Sequence, residues 1–518
     1  MLAKIRQLSR DLAIYGVGDV VVSVVNFLLL PLYVRYLNPA EYGVLGLLGS
    51  VEVIAKIFFR WGLDGSFMRL FYDCETTADR QRLASTLFFF LLALNGVLLA
   101  ASLAVSPIVA EQLFGTASHL QALQLTLVNT FIIGFTFFPF HLLRMEQRSG
   151  EFVVLTLSRS VTTVVLRLVL IMGFGMGVMG VVLADLVVTV LLMAVLFRRF
   201  SALIRPTFSH AVLREGLRFG LPRVPHAAAQ QVIAVGDKII LTLFVPLAQL
   251  GVYSMGVSFG LTQKLFLSAF EYAWAPFYYA NAREPDAPRL FSRVATYGFA
   301  VLALLTAGLS AIGRDLLVTV VGPDYAGAAP IVAWTAVGVM FQGIYLLTSI
   351  GLNITRRTEY YPVSTLTAAV VNVGLNFLLI PVYGIVGAAW ATAVSYAVQA
   401  ALAFGFSQRF YPIRYDAPRL LTIGLAAIAA WGLAYLIPAL PPAMGVVVRG
   451  SVVVLVFGSV LAAGGVVRLD ELRRIAALGD RKAAPAGTPP ETTELAGELV
   501  ATDLADDELV TATRRQNT

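Results

Sequence analysis

Runs of about 20 apolar residues recur along this chain from residue 12 to residue 467, and no other feature restricts its folding so strongly. Each run is long enough to cross a hydrocarbon layer of roughly 30 Å as a helix. In that layer no water satisfies backbone N–H and C=O groups, so only helices or closed barrels are stable there. The runs are too long and too continuous for barrel strands, which alternate apolar and polar residues over about ten positions. Composition agrees. Of 518 residues, 58% are hydrophobic and 13% charged, where a soluble domain carries roughly 25% charge. Mean hydropathy is +0.79. The spacing predicts an all-α integral membrane fold of about fourteen spans, near 12–36, 42–70, 83–106, 119–143, 151–175, 177–198, 217–245, 251–281, 292–313, 327–350, 360–381, 384–406, 417–437 and 445–467.

The loops between these spans carry a second pattern. Lys and Arg concentrate on the cytoplasmic side of membrane proteins. Here Lys4, Arg6 and Arg10 precede the first span, and the even loops hold Arg80 and Arg82, Arg144 and Arg148, Arg198 to Arg214, Arg283 and Arg289, Arg356 and Arg357, and Arg409 and Arg414. The odd loops are nearly bare, with only Arg35, Arg314 and Arg449 at or near them. A missing or extra span would invert the alternation, so both ends are expected in the cytoplasm and the protein in the cytoplasmic (inner) membrane. The first run lacks a small-residue cleavage site and reads as an uncleaved helix. Beyond Arg468 an amphipathic stretch, Leu469 to Leu478, leads through Pro485, Gly487, Pro489 and Pro490 into an acidic, Thr-rich tail with too little apolar surface to build a core.

An internal repeat is also legible. Laying 40–73 on 248–281 pairs Ala40 with Ala248, Gly43 with Gly251, Val44 with Val252, Ser50 with Ser258, Lys56 with Lys264 and Phe58 with Phe266. The second and eighth spans then run in the same direction. This predicts two six-helix lobes related by a parallel pseudo-repeat, 1–200 and 201–410, with two additional helices over 411–467 and the cytoplasmic segment 468–518. Parallel repeats are a known transporter construction with the substrate site between lobes.

Several function classes are excluded. The net charge of +7 sits in short clusters between apolar runs rather than on one soluble face, so no nucleic-acid partner is expected. Cys74 is the only cysteine, which rules out an intrachain disulfide. Gly256-Val257-Ser258-Phe259-Gly260 has the spacing of a nucleophile elbow but lies inside an apolar helix, where small residues permit close packing. Gly175-Met176-Gly177-Val178-Met179-Gly180 lacks the βαβ unit of a dinucleotide site. No Gly-Lys pair provides a phosphate loop and no His or Cys cluster has metal spacing, so neither an enzyme, a cofactor nor a metal is expected.

Charge inside the membrane is costly and marks a pathway or a paired contact. The second span holds Glu52, Lys56, Arg60 and Asp64, each four residues from the next. The seventh holds Arg223, His226, Gln230 and Asp237 on one face, the eighth Lys264 and Glu271, the first Asp19, Ser23 and Asn26. Arg159 and Arg167 lie in the fifth span and Asp185 in the sixth. Lipid-facing charge is expensive, so these faces look inward and make a hydrated cavity. Lys56 and Lys264 are mates under the repeat, and an ammonium is a compact point charge suited to phosphate. They are read either as substrate contacts or as structural ion pairs, Glu52–Lys56 and Arg60–Asp64 being at intrahelical pairing distance.

Four local stretches resemble bacterial oligosaccharide/polysaccharide flippases, the oligosaccharide-lipid branch of the multidrug/oligosaccharidyl-lipid/polysaccharide exporter superfamily. Leu37-Asn38-Pro39-Ala40-Glu41-Tyr42-Gly43 is similar to their first-loop signature. Asp237-Lys238-Ile239-Ile240-Leu241 with Leu250-Gly251-Val252-Tyr253 resembles their helix 7–8 junction, and Gly322-Pro323-Asp324-Tyr325-Ala326-Gly327-Ala328 the loop before their tenth helix. Asn372, Leu375-Asn376 and the run from Ile380 to Thr392 resemble their helix 11–12 signature. The resemblance implies a V-shaped pair of lobes, alternating access, and transport of polyprenyl-diphosphate-linked glycan from the inner to the outer leaflet for surface polysaccharide biosynthesis. It implies membrane lipid and a polysaccharide polymerase or glycosyltransferases as further partners.

Such cargo needs a wet cavity for its glycan and cations for its diphosphate. Arg60, Arg159 and Arg223 are the expected first contacts, Lys56 and Lys264 the mid-depth ones, and Asp19, Glu52 and Asp237 the candidate ion-coupling groups. Seven intramembrane cations stand against six acids, so a strongly cationic cavity does not follow from the count. The rival readings are a cation-coupled multidrug antiporter of the same superfamily, a peptidoglycan lipid-precursor flippase and a membrane scaffold.

Overall fold

The computed structural model describes residues 30–146 and 148–466. Most of the first span, with Asp19, and the segment from 467 onward lie outside these residues. The described chain is helical, without strands. The main helices are α1 Pro39–Arg60, α2 Leu63–Asp73, α3 Thr77–Phe114, α4 Leu120–Ile133, α5 Phe137–Met145, α6 Ser149–Leu168, α7 Gly177–Phe200, α8 His210–Gly220, α9 Val224–Leu241, α10 Leu247–Gly260, α11 Lys264–Asn281, α12 Ala287–Val321, α13 Ala329–Thr348, α14 Tyr360–Phe410, α15 Ala417–Tyr435 and α16 Pro442–Ala463.

Among the described residues, ten helical segments are long and apolar enough to cross a membrane. The expected fourteen map onto these ten as follows. The first span is mostly undescribed. The seventh and eighth are each broken by a 3-10 turn, Leu221–Arg223 between α8 and α9 and Leu261–Gln263 between α10 and α11. The eleventh and twelfth run on as α14, which breaks only at Gly384, where φ 56° and ψ −135° suit a residue without Cβ.

The first-loop signature turns out to be a helix start. Asn38 Oδ1 accepts from Glu41 N at 2.9 Å, Glu41 Oε2 accepts from Asn38 N at 2.9 Å, and Pro39 occupies the first turn. This reciprocal cap satisfies two amides that the helix itself leaves unpaired. At its other end α1 stops at Trp61 and Gly62, both left-handed, and the chain restarts as α2.

The repeat is realised in three dimensions as a crossing of α1 on α10. Pro39 and Leu247, the first residues of the two helices, stand 208 positions apart, the offset read in the sequence. The contact is made by repeat mates. A Cβ on Gly43 would lie 2.2 Å from the Leu247 carbonyl oxygen, one on Gly251 1.7 Å from the Pro39 carbonyl oxygen, and one on Gly46 2.3 Å from Ser254 Oγ. Tyr42 OH and Ser258 Oγ approach to 3.5 Å. Each helix presents the same patch to the other, as in a two-fold contact. Around it Val44, Leu47 and Leu48 share a buried core with Leu250, Tyr253, Ile331, Ile380 and Ala388.

A second core is rich in aromatic residues and joins Leu63, Phe67 and Phe71 to Leu87, Phe138 and Phe200. The amphipathic helix α8 seats Val212, Leu213 and Leu217 against it. Ser66 Oγ donates to the Gly216 carbonyl at 2.7 Å, and Gly62 and Gly220 meet backbone to backbone. The helix that opens the region 201–410, α8, is thus held on α2 and α3. The two added helices pack on α12. Buried Asp315 pairs with Arg449, whose Nη2 also donates to the Ile437 and Pro438 carbonyls at 3.1 Å each.

Cys74 caps α2 and donates its thiol to the Leu70 carbonyl at 3.3 Å. Burial, then the nearby Asp79 carboxylate, raises its pKa above the ordinary thiol value. Only the thiolate reacts with maleimides, so labelling should be slow near neutrality and rise about tenfold per pH unit below the raised pKa. If the loop charges set the topology as expected, with both ends cytoplasmic, an impermeant maleimide should label Cys74 in permeabilised but not in intact cells. Labelling in intact cells would invert the topology.

Candidate functional site

A cavity of about 560 Å³ opens between α1, α4, α6 and α7, and α9 and α10 close its far side. Helical periodicity builds its walls. On α6, Thr156, Arg159, Ser160, Thr163 and Arg167 fall on one face at three- and four-residue steps. On α1, Tyr42, Leu45, Gly46, Gly49 and Glu52 do the same. Thr126 and Asn129 come from α4, Asp185 from α7, Lys238 from α9, and Ser254 and Ser258 from α10. Asn129 Oδ1 and Ser254 Oγ are buried without a hydrogen-bond partner.

The charges sort themselves into pairs and a remainder. Arg167 grips Asp185 with both prongs of its guanidinium, Nε to Oδ1 at 2.9 Å and Nη2 to Oδ2 at 2.7 Å. Glu52 is bonded to Lys56, one turn along α1. Two lining cations remain: among the described residues, neither Arg159 nor Lys238 is ion-paired with an acid. The near-equal count of the sequence therefore resolves into a wall with cationic surplus.

The other expected site residues are dispersed. Lys56 is held by Glu52 and is not part of the cavity wall, nor is its repeat mate Lys264, the first residue of α11. Arg60 lies 3.9 Å from Asp64, both about one-third exposed. The Arg223 guanidinium rests on the Phe219 ring at 4.2 Å. Of the residues marked for substrate, the cavity gathers Arg159; of those marked for ion coupling, Glu52. It adds Lys238, Arg167 and Asp185, which the count included but the site reading did not. Arg167 had a signal, its place on the face of Arg159 through Thr163.

Asp237 belongs to a separate polar cluster. Its carboxylate accepts from Tyr253 OH, from the Lys238 amide at 2.7 Å and from Thr392 Oγ1 at 3.3 Å. Asn372 Nδ2 donates to Thr392 Oγ1 at 3.4 Å and Asn376 Nδ2 to Asn372 Oδ1 at 3.0 Å, while Asn376 Oδ1 is buried and unpartnered. The asparagines and Thr392 stood in the helix 11–12 signature, and what the sequence did not show is that α14 brings them to Asp237.

Solved structures of a lipid II flippase and of multidrug transporters have this helical fold. The lipid II flippase MurJ in an inward closed conformation superposes with a TM-score of 0.66 at 14% identity, over 86% of this chain and 100% of that one. A multidrug resistance MATE family transporter of the MOP superfamily, inward-facing, gives 0.64 at 14% identity over 77% and 95%. A Vibrio cholerae MATE transporter mutant gives 0.53 at 14% over 78% and 97%. At that identity the likeness is one of fold. The resemblance carried by the loop signatures stands on sequence as well: residues 32–272, which contain the first-loop signature and the helix 7–8 junction, match the family of polysaccharide biosynthesis proteins. Among curated proteins, no sequence matches the chain.

Proposed function

We propose that this protein flips a polyprenyl-diphosphate-linked oligosaccharide from the inner to the outer leaflet of the cytoplasmic membrane by alternating access. The observation that carries this reading is the pair of lining cations without an ion pair among the described residues, Arg159 and Lys238, in a hydroxyl-rich cavity inside a membrane bundle. A guanidinium recognises phosphate in bidentate fashion and an ammonium as a point charge. Thr126, Thr156, Ser160, Thr163 and Ser258 offer the glycan the hydrogen bonds that it loses on leaving water. The polyprenyl tail stays in lipid throughout. The lobes 1–200 and 201–410 are the moving bodies, and the seam of Gly43 on Gly251 parts when the cavity changes sides. The Asp237 cluster, rich in oxygen donors and buried, is the coupling site for a small cation whose binding biases that movement.

Reconstitution in vesicles tests this. A polyprenyl-diphosphate glycan placed in one leaflet should become accessible to a lectin on the opposite side in protein-containing vesicles only, and a sodium or proton gradient should change the rate. Efflux of ethidium with no glycan flipping would instead favour the antiporter.

A further inference from the structure

On the side that the loop arginines mark as cytoplasmic, α2 and α8 meet in a fixed corner. The bond from Ser66 Oγ to the Gly216 carbonyl and the backbone approach of Gly62 to Gly220 hold the two helices together. Two exposed arginines converge there from distant parts of the chain. Arg223, the last residue of the 3-10 turn after α8, folds back onto α2, and its Nη1 lies 3.1 Å from where a Cβ on Gly65 would stand. Arg69 stands one turn along α2 on the same face as Gly65. Both guanidiniums also lie over one ring, that of Phe219 on α8, at 4.2 Å for Arg223 and 5.3 Å for Arg69. An aromatic ring attracts each cation but neutralises neither, and like charges brought together repel. The acids of the corner are turned elsewhere. Asp64, beside Gly65, faces Arg60 at 3.9 Å, and Asp73 and Glu215 stand near Cys74. Among the described residues, neither Arg69 nor Arg223 makes an ion pair or a side-chain hydrogen bond.

We infer that this corner binds the phosphate of an anionic phospholipid in the cytoplasmic leaflet. Guanidinium N–H groups match phosphate oxygens, and two guanidiniums on one ring present theirs together. The surroundings decide what carries the phosphate. Met68 and Tyr72, before and after Arg69 on the outer side of α2, are exposed, and so is Leu221, two residues before Arg223. Apolar side chains and a tyrosine beside unpaired cations suit the level where acyl chains meet head groups, and the cytoplasmic leaflet is the anionic one. The phosphate takes the place of the missing acid, and the acyl chains run along Met68 and Tyr72. The bound head group ties α2 to the turn that leads into α9. None of these residues lines the cavity between α1, α4, α6 and α7, so the site is independent of the cargo proposed for that cavity.

Native mass spectrometry of the full-length protein in neutral detergent tests this, with phosphatidylglycerol and phosphatidylcholine as probes. The wild type should hold its first phosphatidylglycerol at least about tenfold more tightly than phosphatidylcholine. Arg69→Gln and Arg223→Gln should each lower that preference about tenfold, the effect of one charge-assisted hydrogen bond. Gly65→Ala keeps every charge but crowds the Arg223 guanidinium, and should weaken binding roughly threefold. Arg283→Gln, at an exposed arginine elsewhere, should change nothing. The inference fails if the wild type shows no preference or if the preference survives both arginine variants. It fails equally if Arg283→Gln lowers the preference as much, because net charge then suffices. Soluble pyrophosphate that displaces the lipid at equal concentration would make the corner a site for free phosphate and overturn the lipid assignment. A polyprenyl diphosphate held by Arg69 and Arg223 more tightly than phosphatidylglycerol would make it a cargo site and overturn the assignment as well.

Discussion

Arg159→Ala should reduce glycan flipping at least tenfold while leaving the protein folded, and Lys238→Ala should do the same. Tenfold corresponds to about 1.4 kcal/mol, just under the roughly 1.5–3 kcal/mol of a hydrogen bond to a charged group, so tenfold is the lower bound. Arg159 is not ion-paired among the described residues, so its removal leaves no acid orphaned there, whereas Lys238 stands beside the buried Asp237 carboxylate and its removal takes a positive charge from that neighbour. Arg167→Ala is the informative contrast. It strands Asp185 without the two bonds at 2.9 and 2.7 Å, so its main effect should be on stability. The pair is about one-quarter exposed, and solvent screening keeps the loss to roughly 1–2 kcal/mol rather than the larger cost of a fully buried charge. Thermal unfolding in detergent and flipping in vesicles, measured on the same three preparations, separate the roles. Full transport in both the Arg159 and Lys238 variants would remove the basis for a diphosphate site in this cavity.

Gly251→Ala should be the most disruptive single methyl in the protein. The added Cβ would lie 1.7 Å from the Pro39 carbonyl oxygen, which is backbone and cannot swing aside. The crossing of α1 on α10 has to widen, and overpacking of this kind costs about 1–3 kcal/mol or more. Gly43→Ala, at 2.2 Å from the Leu247 carbonyl oxygen, should act in the same direction because it is the same contact seen from the other repeat. Gly96→Ala on α3 is the control: nothing lies within 4 Å of its Cβ, and replacing an interior helix glycine in open space should stabilise by up to about 1 kcal/mol. A melting temperature for Gly251→Ala equal to wild type would mean that the seam is not held as described.

Much of this was legible in the chain before any coordinates. The apolar runs gave the class of fold because a membrane leaves the backbone no alternative to helices. The repeat offset of 208 was visible in scattered identities, and it pointed to the crossing of α1 on α10 because Gly43 and Gly251, one of the matched pairs, are residues that meet there. Asn38-Pro39-Ala40-Glu41 was quoted as a family signature and proved to be a helix cap, a local interaction that four adjacent residues suffice to specify. The site was less legible. Lys56 drew attention by its depth and its repeat mate, yet a partner one turn away, Glu52, holds it.

What the sequence determined by itself, then, was what local and periodic physics sets: that the chain spans a membrane as helices and which helix faces carry charge. Tertiary structure alone decided which charges cancel. Arg167 and Asp185 are 18 residues apart, on separate helices, and nothing in their spacing marks them as partners. Their pairing, with that of Glu52 and Lys56, leaves Arg159 and Lys238 as the cationic remainder. The physical reason is that an ion pair depends on distances of about 3 Å between side chains, and those distances are fixed by how helices pack, not by how residues follow one another.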